Sequence, residues 1–356
     1  MNNKIVIRII QCGKCISLIL LSILVRQTYL SAQIVPLNNT NFKTAVDLWF
    51  TDEANATAAY GHIKDWNVTA VRNMEKAFKG QSNFNHDISG WDVSNVTNMG
   101  SMFSGATSFN QPIGNWDVSA VTRIFGVFSG ATSFNQPIGD WNVSSVKDMS
   151  YMFFGTFFDQ PLGQWDVSAV TKMNGMFSGV TSFNQPIGDW NVSAVKDMSY
   201  MFSGTSFNQP IGQWDVSAVT KMDGIFSGTP FNQSIGNWDV SAVTNMSHMF
   251  NSASKFNQPI GDWNTSNVTN MNHMFNNALE FNKPVGNWNT SKVTDFNNMF
   301  YGTSFNQPIK KWDTSKVINM KAMFRRSQFN QPIGDWNVSL VTNMEGMFQG
   351  SSFNQD

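Results

Sequence analysis

The sequence predicts an α+β repeat solenoid of about twelve turns, each 24 or 25 residues long. Two observations carry this. Tryptophan recurs at Trp66, Trp91, Trp116, Trp141, Trp165, Trp190, Trp214, Trp238, Trp263, Trp288, Trp312 and Trp336, always at intervals of 24 or 25 residues, within a unit that reads approximately FNQPIGxWDVSxVTxMxxMFSGATS. A unit this short cannot bury its own Trp, two Met and two Phe, whereas stacked units bury them against one another.

The chain divides into three parts. In residues 1–32, Lys4, Arg8 and Lys14 precede an uncharged apolar run from Ile16 to Val25, and small residues follow at Ser31 and Ala32. That order predicts a secretory signal peptide cleaved near Ala32. The run is too short for a membrane span, which needs about 20 apolar residues, and no second candidate span follows. Both cysteines, Cys12 and Cys15, would leave with the leader, so their CxxC spacing implies neither zinc nor redox chemistry. Residues 33–65 do not follow the repeat. Phe42, Ala45, Val46, Leu48 and Trp49 fall on one helical face, with Thr40 or Asn41 as its cap, and predict a segment that closes the first turn. Residues 66–356 are the tandem array.

Within one unit the apolar period changes. Trp and Val alternate with polar residues in WDVS, which predicts a short extended segment. Val96, Met99, Met102 and Phe103 then lie three, three and one apart, the spacing of a short helix, with Ser94 as its cap and the Gly after MF as its stop. Proline in FNQPIG belongs at a strand corner or end. The Asn of FNQ is expected to form a ladder whose side-chain amide bridges one turn to the backbone of the next. The shorter copies lose their residue between MFxG and FNQ, as at Gly204 to Phe207 compared with Gly130 to Phe134, which predicts an outer loop there.

Composition limits the function. Charged residues make up 13% of the chain, against about 25% in ordinary globular proteins, so the surface is neutral and polar. A net charge of −1 argues against nucleic acid, whose binders need a basic face. No phosphate loop, HExxH or GxSxG motif is present, and nearly every polar residue has equivalents in the other copies, so no catalytic residue and no cofactor is predicted.

The unit FNQPIGNWDVSAVTNMSHMF resembles the repeat of the BspA-type leucine-rich-repeat surface proteins, the 25-residue class found in mycoplasma lipoproteins, over about four fifths of the chain. The resemblance implies a leucine-rich-repeat-like solenoid, secretion or surface display, and a part in adhesion or protein binding, with no catalytic residues to carry over. The chain departs from the lipoproteins in having no cysteine after its apolar run, where a lipid would attach.

Several residues invite sharper readings. Eleven of the twelve tryptophans have one carboxylate among their two flanking residues, as in Asp140-Trp141-Asn142 and Gln164-Trp165-Asp166, and only Asn287-Trp288-Asn289 has none. Dispersed carboxylates do not converge as calcium requires, and shifting the charge from side to side reduces repulsion along the stack. His248 and His273 share one repeat position but lack a third ligand for zinc, so no metal site is assigned. An ice-binding threonine ladder is interrupted by Lys147 and Lys196. The Asn-x-Ser/Thr sites at Asn38, Asn55, Asn67, Asn95, Asn142, Asn191 and Asn337 are mostly products of the repeat. Binding to an extracellular protein or glycan is expected to rest on variable positions: Arg123, Lys147, Lys172, Lys196, Lys221, and the basic cluster Lys321, Arg325 and Arg326. End-to-end self-association into a matrix is the alternative expectation.

Overall fold

The computed structural model describes residues 34–355; the predicted leader, its cleavage site and its two cysteines lie outside them. Two helices precede the array. In α1 (Phe42–Thr51), Phe42, Ala45, Val46 and Trp49 recur at helical spacing and are all buried, while Leu48 is half-buried. Asn41 occupies the capping position but makes no capping bond. Its Oδ1 instead accepts the N–H of Asn38 at 2.8 Å. The second helix, α2 (Glu53–Tyr60), is capped by Asp52, whose carboxylate accepts the N–H of Asn55 at 3.0 Å. Phe42 sets its ring edge against Trp66 and Trp91 at 6.4 and 6.0 Å, and Trp49 does so against Trp66 at 6.0 Å. These contacts pack α1 against the first turn of the stack.

Beyond Trp66 the stack of turns is present, but among the described residues the predicted short helix is not. Val96, Met99, Met102 and Phe103 are all fully buried, as their spacing requires. Their backbone is a row of tight turns. The N–H groups of Met99, Ser101, Phe103 and Gly105 donate across to the next turn, to the carbonyls of Arg123, Phe125, Val127 and Ser129 at 2.7–2.9 Å. Between them, Met102, Ser104 and Ala106 donate back three residues within their own turn, at 3.0–3.2 Å. An α-helix directs every N–H four residues back and leaves none for a neighbour. Left-handed φ angles at Ser101 (55°) and Gly105 (73°) break that pattern, because a right-handed helix requires negative φ throughout.

The predicted extended segment is likewise only partly realised. Trp141 and Val143 face inward and Asn142 outward, but among the described residues this segment forms no strand; the one parallel bridge per turn lies beyond it, running from Asn73 through Asn98, Arg123 and Asp148 to Asn343. Ser94 does not cap through its own oxygen. Its N–H is the group that is capped, by the carboxylate of Asp92 at 3.0 Å. Asn142 does the same for Ser144 and also receives its hydroxyl, at 2.7 Å.

The core consists of continuous columns. Phe103 stacks on Phe109 of its own turn at 3.9 Å and on Phe128 of the next at 5.7 Å. Burying one such aromatic contributes about 1.5–3 kcal/mol, and each turn adds several large side chains. Each indole is also anchored: Nε1 of Trp141 donates to the carbonyl of Ile113, one turn earlier, at 3.0 Å. That carbonyl also accepts the backbone N–H of Trp116 at 3.2 Å, so both of its lone pairs are used.

The Asn ladder forms as expected. Oδ1 of Asn208 accepts the backbone N–H of Asn232 at 2.9 Å and Nε2 of Gln233 at 3.1 Å. The shortened copies are closed by a buried side chain rather than by an outer loop alone. In 25-residue copies the Phe of FNQ donates its N–H to a backbone carbonyl, as Phe109 does to Ala106 at 3.0 Å. In the 24-residue copies that position holds Thr156, Thr205, Thr229, Thr303 or Ser327. The hydroxyl there takes the N–H instead, as Thr156 does for Phe158 at 3.3 Å, while itself donating to the Phe153 carbonyl at 2.8 Å.

Candidate functional site: a groove along the proline column

The QPIG segments line up on one face. Glycine at the fourth position is a matter of close approach. A Cβ at Gly286 would stand 2.4 Å from the carbonyl oxygen of Pro308 on the next turn, and one at Gly261 2.5 Å from that of Pro284. At these two turns only a bare Cα lets the next proline carbonyl come so close. The result is a series of hollows floored by proline and glycine. A hollow of about 600 Å³ spans Pro259 to Lys311, and one of about 390 Å³ spans Gly139 to Asp189.

The residue before each Trp forms the rim of these hollows. It is acidic at Asp140, Asp189 and Asp262, an amide at Asn115, Gln164 and Asn287, and basic at Lys311. Lys310 takes the place of the glycine in its copy and pairs with Asp335 at 2.8 Å. The face thus offers apolar floor and single polar groups at regular intervals, with no cluster of unlike catalytic groups. Among the described residues no three His, Cys, Asp or Glu side chains come together as a metal would require.

Carboxylates on the other side of the Trp have a structural role. Asp92, Asp117, Asp166, Asp215, Asp239 and Asp313 are each held below the ordinary carboxylate range by the hydroxyl and then the backbone N–H of the serine two residues on. Where two consecutive turns both carry this Asp, repulsion acts in the other direction, as Asp117 does on Asp92 and Asp215 on Asp239.

The structure redistributes the basic residues singled out in the sequence. Arg123, Lys172 and Lys221 occupy the bridge column and alternate there with Asp148 and Asp197. Lys221 approaches Asp197 at 3.9 Å. This column neutralises itself along the stack. Lys147 and Lys196 are exposed in the threonine column. Their neighbours Thr122 and Thr171 direct hydroxyls to the backbone of the preceding turn, at 3.3 and 3.1 Å. Of the predicted cluster, Lys321 pairs with Glu345 at 2.8 Å, Arg325 is half-buried, and Arg326 fills a left-handed position, φ 56°, that is glycine in most copies. The sequons at Asn142 and Asn191 are exposed.

His248 and His273 stack with centroids 4.6 Å apart and planes within 5°. Their in-plane lone pairs run side by side rather than converging, and both Nδ1 atoms are buried without a hydrogen-bond partner. Desolvation lowers both pKa values, that of His273 further through the charge of His248, while Asp223 and Asp295 act in the opposite sense.

Sequence reasoning missed one feature. Tyr151, Phe154 and Phe157, in a single copy, and Tyr200 two turns on are exposed aromatics. The signal was in the sequence: Phe154 stands where neighbouring copies have serine, and glycine separates the two tyrosines in their column at Gly175.

A family model described as "Mycoplasma protein of unknown function, DUF285" matches residues 44–157, 138–230, 204–304, 226–326 and 283–356. No curated protein and no solved structure matches the chain significantly. The matches overlap to cover the chain from residue 44 onward, and the protein belongs to the DUF285 family of repeat proteins.

Proposed function

We propose that this member of the family is a non-enzymatic secreted or cell-surface protein that binds an extracellular protein or glycan along the outside of a leucine-rich-repeat-like solenoid of the BspA type. The observation that carries the reading is the groove on the proline column. It repeats the same apolar floor and single polar rim group over successive turns, from Pro112 to Lys311. A surface of that kind suits an extended ligand that can be gripped at several turns at once, the mode by which repeat proteins commonly bind. The leader predicted at residues 1–32 supports secretion, and among the described residues no helix is long and apolar enough to cross a membrane.

End-to-end association into a matrix is the competing reading. The burial of the first turn under Phe42 and Trp49 weighs against it, because addition at that end would have to displace α1. Two experiments test the proposal. N-terminal sequencing of protein recovered from the medium should begin near Gln33; retention of the leader inside the cell would sink the secreted reading. An array of extracellular proteins and glycans should return a ligand whose binding weakens in Asp262→Lys, which reverses a rim charge. Sedimentation over a range of concentrations should show a persistent monomer, and open-ended growth would favour the matrix.

A further inference from the structure

We infer that Tyr151 and Tyr200 form a stacking platform for a neutral, extended β-linked polysaccharide, at a site separate from the proline groove; the inference rests on the extracellular binding reading above. The two tyrosines occupy the same repeat position, both with left-handed φ, 55° and 56°. The copies before, between and after them have glycine there, at Gly126, Gly175 and Gly224. Each ring leans onto the glycine that follows. A Cβ at Gly175 would meet Cε1 of Tyr151 at 2.4 Å, and one at Gly224 would meet Cε1 of Tyr200 at 2.2 Å. The Tyr151 ring does not reach back in the same way: a Cβ at Gly126 would meet Ser101 Oγ at 3.3 Å and no atom of Tyr151 within 4 Å. Each ring is thus backed by the backbone of the turn that follows it and remains open to solvent, with exposures of 48% and 38%.

Such exposure on a surface otherwise built of Asn, Ser, Thr and Gly marks an interaction site. Phe154, 44% exposed, packs its edge on Tyr151 at 6.0 Å and 78° and fixes the ring. The neighbouring polar groups are those that sugar hydroxyls require. Asn174 and Asp223 lie beside the platform, held by hydrogen bonds from Ser150 at 2.6 Å and Ser199 at 2.7 Å. Each keeps further capacity, the Asn174 amide as donor and the Asp223 carboxylate as acceptor. The nearby bridge column cancels its own charge through Asp148, Lys172, Asp197 and Lys221, so it selects for neither an acidic nor a basic ligand. The two-turn spacing sets the length of the repeat recognised. The buried column of Phe153, Phe177 and Phe202 advances by 5.6 and 6.0 Å per turn. A β-linked chain that shows the same ring face at every second sugar presents like faces at such a double step.

The test uses the full secreted chain with cellulose and chitin pull-downs, and calorimetry with hexasaccharides of β-1,4-glucose, β-1,3-glucose and β-1,4-N-acetylglucosamine. At least one should bind. Y151A/Y200A should weaken it about tenfold or more, equivalent to about 1.4 kcal/mol, and Y151F/Y200F should keep the affinity, since stacking needs the ring and not the hydroxyl. A wild-type chain that binds none of these sugars, or a double alanine variant that folds and binds as wild type, overturns the platform. If the array returns a protein ligand and no glycan, the platform falls and the binding proposal stands. If it returns nothing, both fall.

Discussion

The backbone N–H of Phe207 ends on the hydroxyl of Thr205, 3.2 Å away, and that hydroxyl in turn donates to the carbonyl of Phe202 at 2.7 Å. One turn earlier, in a copy one residue longer, the equivalent N–H of Phe183 reaches the backbone carbonyl of Val180 at 3.0 Å. A shortened turn thus loses a backbone acceptor and replaces it with a side chain. Thr205→Val keeps the shape and leaves a buried donor unsatisfied, which costs about 1–3 kcal/mol. Urea unfolding should show that loss. An unchanged midpoint would mean that water or a backbone shift takes over the role.

Glycine at the fourth position of QPIG should matter most where the next proline carbonyl closes on it and least where nothing covers it. Gly286→Ala forces a methyl group to 2.4 Å from the Pro308 oxygen, whereas a Cβ at Gly334 meets nothing within 4 Å. The first substitution should destabilise by about 1–3 kcal/mol and the second by a few tenths at most. Thermal melts of the two variants side by side check this, and equal effects would show that the packing of Pro308 on Gly286 carries no energy.

Acid should loosen the turns around His248 and His273. Their folded-state values are lowered from 6.5, so between the folded and the free values the unfolded chain binds more protons and stability decreases as pH decreases. The stabilising contribution is fully present above about pH 6.5 and is lost as pH drops through the folded-state values. Asp223 and Asp295 moderate the effect without reversing it. His273→Asn places there the residue that Asn298 provides one turn later, also at left-handed φ. It should flatten the fall in melting temperature between about pH 7 and 5. A pH dependence as steep as that of the wild type would rule out the stacked pair as its source.

Removing one whole unit, Asn142 to Trp165, joins Trp141 directly to Asp166 and should leave a folded, shorter stack. Stability and the denaturant slope should both drop by about one turn's share, as in a linear array of nearest-neighbour units. Loss of cooperative unfolding on deletion would show that the turns do not act as exchangeable units.

The sequence by itself determined the number and length of the turns, the inward residues Trp, Val, Met and Phe, the helix carrying Phe42 to Trp49, and the Asn ladder. All of these depend only on period and on the need to bury apolar surface or pair backbone groups. It also held the pattern of Thr or Ser in the short copies and Ala, Val or, once, Gln in the long ones, although a deletion in a loop gives no reason to look for it. Only the tertiary structure decided between a helix and a row of tight turns. Apolar residues three and four apart, such as Met99, Met102 and Phe103, suit either. The choice turns on the sign of φ at Ser101 and Tyr151, which hydrogen bonds to the next turn support. The structure likewise brought Arg123, Asp148, Lys172, Asp197 and Lys221 into one self-neutralising column. Residues 24 or 25 apart become neighbours only when the turns stack, and a charge that looks isolated along the chain then stands next to one of opposite sign.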